Sequence, residues 1–176
     1  MSSVDPTPEE RAASLPGDAV VPGADVVMDR AFDLPAPPEV VWPWLVQLGK
    51  RRAGWYLPRT VERLVPPSRR ALRHLDPRWQ GLAVGDVIPD WGGADATFTV
   101  ERLDPPHGIV HSSQRGRISL SWELRLTPSR TGTRLHLRLR LAHVRRRWLA
   151  ERVGGAFDLL TVAGLAAGLR ERVRDS

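Results

Sequence analysis

Few side chains in this sequence have chemistry to offer. It has five histidines and no cysteine, which removes thiolate nucleophiles, thiolate metal ligands and disulfides. Among the histidines, His111 is the one whose neighbours give it a direction. Ile109, His111 and Ser113 alternate along one strand face. If Ile109 points into an apolar interior, the other two follow it. A buried imidazole at that point can serve as acid, base or donor to a ligand carbonyl, which makes His111 the catalytic candidate. The competing reading is a core histidine bonded to a neighbour. His143 shares the parity of a leucine face but sits at a strand end, and His136 falls on an arginine face where solvation is expected. No two histidines have a spacing that suggests a metal site, so no metal is expected. Asp29, Asp33, Asp86 and Asp90 are scattered and form no obvious carboxylate pair. There is no phosphate cradle, dinucleotide fingerprint or G-x-S-x-G elbow, and no cofactor is expected.

The aromatic residues point to binding. Trp55, Tyr56 and Trp91 fall in expected loops rather than in periodic segments. Aromatic groups with a polar tip suit the mouth of a pocket for an amphiphilic ligand, although loop packing explains them too. Trp91-Gly92-Gly93 joins two strands and so belongs to the rim of a sheet. Trp122 lies on a dry strand face, as core or cavity wall, and Leu137 and Leu139 share the dry face of the next strand. From the last helix, Phe157, Leu160 and Gly164 complete the candidate lining.

These residues need elements to hold them. A first strand is expected over 26–34, followed by a Pro-rich corner and a helix over 38–48, with Pro43 inside it and Gly49 placed to stop it. A second short helix is expected over 59–64. From Val84 onward the pattern has period two. Short strands are expected over 84–88, 97–103 and 108–113. Two longer strands follow, with Ile118, Leu120, Trp122, Leu124 and Leu126 on one face and Leu135, Leu137, Leu139 and Leu141 on the other's. Residues 128–132 form the turn between them. That is an antiparallel sheet with one dry face and one wet face. A long helix over 147–174 is available to cover the dry face. Its small residues, including the G-x-x-x-G of Gly164 and Gly168, either leave space beneath the sheet or permit close contact. The order strand, two helices, strands, long helix is α+β.

Several segments carry a resemblance. Leu15-Pro16-Gly17-Asp18, the run Ala36-Pro37-Pro38-Glu39-Val40-Val41-Trp42-Pro43-Trp44-Leu45-Val46-Gln47-Leu48-Gly49 and Gly54-Trp55-Tyr56 resemble the SRPBCC family of the START/Bet v 1-like superfamily. Gly85-Asp86-Val87-Ile88-Pro89 and Ser121-Trp122-Glu123-Leu124 fall where that group would place them. The similarity runs from about Leu15 onward. It implies a helix-grip fold: a curved antiparallel sheet wrapped around a long C-terminal helix, with two short helices after the first strand. It also implies a cavity between sheet and helix. The family includes lipid carriers, hormone receptors and polyketide cyclases, so function must come from the site. Relatives often continue Gly-Trp-Tyr with a Ser, an aromatic and an Asp. Leu57-Pro58-Arg59 replaces that here, so a polar role for the corner is not carried over.

Composition sets the remaining bounds. A chain of 176 residues suits one domain, expected over 24–176, with 1–23 as a flexible arm rich in Ser, Pro, Asp and Glu. No signal peptide and no apolar run long enough for a transmembrane segment are read from the sequence, and the missing cysteines fit a cytoplasmic protein. The net charge is +6, carried almost wholly by arginine. A GC-rich genome explains that bias without a partner, and nucleic acid is not the expected one. Arg145-Arg146-Arg147, beside Trp148, is the densest basic cluster. The leading expectation is a binder of a hydrophobic or amphiphilic, lipid- or polyketide-like small molecule. A polyketide cyclase-like enzyme using His111 is the alternative, so enzymatic activity stays open. An arginine-rich surface for nucleic acid or anionic membrane is the third reading.

Overall fold

The computed structural model of the protein describes residues 4–145 and 155–175. In chain order the elements are α1 (Pro8–Ala12), β1 (Val26–Leu34), α2 (Pro38–Gln47), α3 (Arg59–Glu62), β2 (Val87–Pro89), β3 (Thr97–Asp104), β4 (Gly108–Arg115), β5 (Ile118–Ser129), β6 (Gly132–Ala142) and α4 (Gly155–Arg174). The strands form one curved sheet in the order β1-β6-β5-β4-β3-β2, antiparallel throughout. The architecture is α+β, with α4 lying against the inner face of the sheet.

The local reasons follow the residue types. Pro38 opens α2, where its missing N–H costs nothing. Pro43 does not end the helix, which runs on to Gln47. Leu48 then donates to the Leu45 carbonyl and Gly49 takes a φ of 146°. Only glycine takes that backbone angle without strain. Beyond β1, the long strands alternate as expected, and the β5–β6 turn shrinks to two residues because the ladder continues to Ser129 and Gly132.

On α4, Val162, Leu165, Ala166, Leu169 and Val173 are buried at helical spacing. They meet Phe32, Leu34, Leu124, Leu126 and Leu135 of the sheet, within one core cluster. Burying one large apolar side chain contributes about 1.5–3 kcal/mol. A helix-interior glycine costs only about 1 kcal/mol against alanine. Sheet contact therefore outweighs the weak propensity that Gly164 and Gly168 give the helix. The earlier part of the expected helix, with Arg147, Trp148, Leu149 and Val153, lies outside the described residues, as does Arg146.

The outer face of the sheet departs from expectation. It is not uniformly wet: the Val4 carbonyl accepts from the Ala31 N–H at the edge of β1, Val4 joins the core cluster, and the segment that follows lies along part of this face. Gly17 N–H donates to Glu123 at 2.6 Å, and Arg138 donates to the carbonyls of Ala13, Glu10 and Arg11 at 2.6–2.9 Å. Beneath them, His136 Nε2 and Arg138 Nε both reach Asp29 Oδ1, at 2.6 and 2.8 Å. His136, expected in solvent, is buried as a result. Period-two alternation places a side chain on a face, but it carries no information about what covers that face.

Candidate functional site

Between the sheet and α4 lies a cavity of about 590 Å³. Strand register builds its floor. His111 pairs with Trp122, Trp122 with Leu139, and Leu139 with Met28, giving one inward row across four strands. Leu120 and Leu141 form a neighbouring row. The roof is the first part of α4, with Phe157, Asp158, Thr161 and Val162. Trp55 and Trp91 close one side from the loops.

Aromatic rings dominate the wall. Trp55 stacks toward Trp122 with 6.2 Å between centroids and 27° between planes, and Trp91 meets Trp55 edge-on at 5.9 Å. Phe98 tilts against Trp122 at 5.6 Å. Trp55 Nε1 donates to the Thr161 carbonyl at 3.2 Å, tying the loop to α4. Its indole donor is thereby satisfied, and the part of the ring not packed on Trp122 and Trp91 remains for contact.

Polar groups in the wall are few and mostly paired. His111 Nδ1 lies 3.3 Å from the Trp122 carbonyl. A carbonyl can only accept, so Nδ1 carries the proton and Nε2 the lone pair. Burial depresses the His111 pKa to about 4, and that hydrogen bond pulls the other way. The ring is therefore neutral at pH 7. Arg115 pairs with Asp90 and lies over the Phe98 ring, 5.4 Å from its centroid. Asp158 Oδ2 sits 3.0 Å from Arg30 Nε without the alignment of a hydrogen bond. Burial pushes the Asp158 carboxyl above the usual carboxylate range, with Arg30 pulling the other way.

Of the residues the sequence pointed to, Trp55, Trp91, His111, Trp122, Leu139 and Phe157 are brought together here. Five others are not. Tyr56 is fully buried, donating from its hydroxyl to the Trp44 carbonyl at 2.8 Å beneath the Arg172 guanidinium. Ser113 shares the inner parity but accepts from Arg115 Nε at 3.4 Å and so supports the wall without lining it. Leu137 lies one register step further along, in the packed core. Leu160 is 71 % exposed, because the helix turns it away from the sheet. Gly164 faces the Leu57 side chain instead of the cavity.

Some lining residues were missed in the sequence, although not all of them are silent there. Phe98 alternates with the buried Val100, and parity alone would have found it. Arg115 and Asp90 are paired across 25 positions of sequence, and no local pattern announces such a pairing. Among the described residues no group of His, Cys, Asp or Glu could hold a metal ion, and no helix is long and apolar enough to cross a membrane.

No family model matches the chain, and no curated protein sequence matches it. Solved structures do. A Rhodobacter sphaeroides protein superposes with a TM-score of 0.56 at 18 % identity, covering 88 % of this chain and 95 % of its own. A Nitrosomonas europaea protein gives 0.54 at 16 % identity, covering 85 % and 95 %. CalU16 from Micromonospora echinospora gives 0.50 at 17 % identity, covering 85 % and 84 %. The fold is the helix-grip. At these identities the likeness is one of architecture, and the site must speak for the function.

Proposed function

We propose that this chain is an SRPBCC-type protein that binds a hydrophobic or amphiphilic small molecule between its sheet and C-terminal helix. The observation that carries this reading is the cavity itself. Its volume of about 590 Å³ falls within the roughly 300–1,000 Å³ usual for small-molecule sites. Its wall is apolar and aromatic with a few convergent polar groups, which is the composition such sites share.

The cyclase-like alternative depends on His111 moving protons. An efficient general base has a pKa near the working pH. A ring held at about 4 is a weak base at neutrality, so a binding role has more support. The arginine surface fits a phosphate partner poorly. Arg134, Arg138 and Arg140 are engaged by Glu10, Asp29 and Asp18 of the protein itself.

Native mass spectrometry of freshly purified protein, followed by organic extraction, tests the reading. A reproducible added mass that is lost on denaturation and proves to be an apolar or amphiphilic compound supports it. Failure to retain any apolar compound, after incubation with a panel of lipids and polycyclic aromatics, would refute it.

A further inference from the structure

The cavity's polar groups say more about its occupant than its size does. His111 is 4 % exposed, and its ring lines the cavity. Its Nδ1 is committed to the Trp122 carbonyl, and Nε2 has no protein partner among the described residues. That nitrogen is not sealed off but opens to the cavity, so an occupant with a donor can reach it, and one without would bury it unpaired at a cost. The charged groups point the same way. Arg115 is paired with Asp90, and Asp158 lies 3.0 Å from Arg30 without a hydrogen bond, which adds a negative rather than a positive group to the wall. Among the described residues an anionic ligand therefore finds no unmatched cation in the wall, and a carboxylate would face the Nε2 lone pair. Trp55, Trp122 and Phe98 pack against one another and stay half-buried, so the ring surface they leave to the cavity makes an aromatic wall suited to a planar group.

We propose that the cavity selects an uncharged ligand with a planar aromatic group and a hydroxyl or N–H donor directed at His111 Nε2. The inference rests on the cavity reading above and names its ligand class. Of the roles expected of this histidine (acid, base or donor), it retains the lone pair and presents an acceptor to the ligand. The depressed pKa agrees, since a neutral ring keeps that lone pair at pH 7.

The test is equilibrium dialysis of the full chain at pH 7 against four probes: 2-naphthol, 2-methoxynaphthalene, naphthalene and 2-naphthoate. The phenol should bind more tightly than the ether, and the naphthoate most weakly. In His111→Phe, which keeps a flat ring over Trp122, naphthalene should still bind. There the ratio of ether Kd to phenol Kd should fall by about tenfold relative to the wild type, the scale of one buried hydrogen bond. Equal affinity for phenol and ether in the wild type would overturn the donor assignment while leaving the cavity reading intact. Preferred binding of naphthoate would overturn the uncharged class. If none of the four binds, the aromatic inference falls, and retention of aliphatic lipids in the mass-spectrometric panel would show the cavity reading surviving it. The wild-type comparison decides the matter even where the variant fails to fold.

Discussion

A neutral histidine inside an apolar wall should be visible in the protein's acid stability. His111 titrates at about 4 when folded, against 6.5 for the free side chain. Between those values the unfolded chain binds a proton that the folded chain refuses. The stability tied to the neutral ring is thus complete above about pH 6.5 and is lost progressively as the pH falls toward 4. A difference of about 2.5 units corresponds to at most about 3 kcal/mol. Urea unfolding of the wild type and of His111→Phe at pH 7 and pH 4 should show this. The stability gap should shift toward the variant by up to about 3 kcal/mol at the lower pH. A gap independent of pH would mean that the ring is well solvated. The inward direction of His111 was legible, because Ile109, His111 and Ser113 share one parity. Its protonation was not, since Nδ1 is fixed by the backbone of Trp122, a strand away.

At the scale of elements, the G-x-x-x-G of α4 turns out to be a contact face. A Cβ at Gly168 would sit 2.6 Å from backbone atoms of Tyr56 and Leu57, and one at Gly164 would sit 2.8 Å from Leu57 Cδ2. The chain at 56–57 is pressed against α4 and pinned there. Arg172, fully buried, donates to the Leu57, Leu72 and Gly168 carbonyls and to Glu62 Oε1. Backbone cannot yield as a side-chain tip can. Gly168→Ala should therefore destabilise by about 1–3 kcal/mol, although alanine is the better helix former by about 1 kcal/mol. Gly164→Ala should cost clearly less, because Leu57 can change rotamer. Denaturant midpoints of the two variants check the order, and equal or reversed effects would count against backbone contact at Gly168. Sequence offered two readings of these small residues, space or close packing. Deciding between them required knowing that the Tyr56–Leu57 corner, rather than a strand, lies beneath the helix. The cavity is instead formed where α4 presents Phe157, Asp158 and Thr161 to the floor.

At the scale of the molecule, the two faces of the sheet have separate tasks, and one of them was hard to read. The inner face follows from hydrophobic alternation and a long C-terminal helix, so the α+β architecture was legible in the pattern, while the helix-grip came from the resemblance. The outer face is a polar layer bridged by the N-terminal segment, and polar layers have no period of their own. Glu123 shows the consequence. Burial beneath Gly17 raises its pKa, while the Gly17 N–H lowers it only in part. Removing residues 1–22 would return Glu123, Asp29, Arg138 and His136 to water. Their lost hydrogen bonds would largely be replaced by hydration, which makes the net polar cost small. The apolar loss has no such replacement. Val4 and Val21 are each 4 % exposed, and deleting them forfeits the burial of two valines, about 3 kcal/mol. The truncated chain should thus unfold at lower urea concentration by about that free energy. Its affinity for an apolar cavity probe should stay unchanged, because the cavity opens on the other face. An unaltered midpoint would mark the segment as a free arm. A loss of probe affinity would show that the two faces are coupled through the sheet.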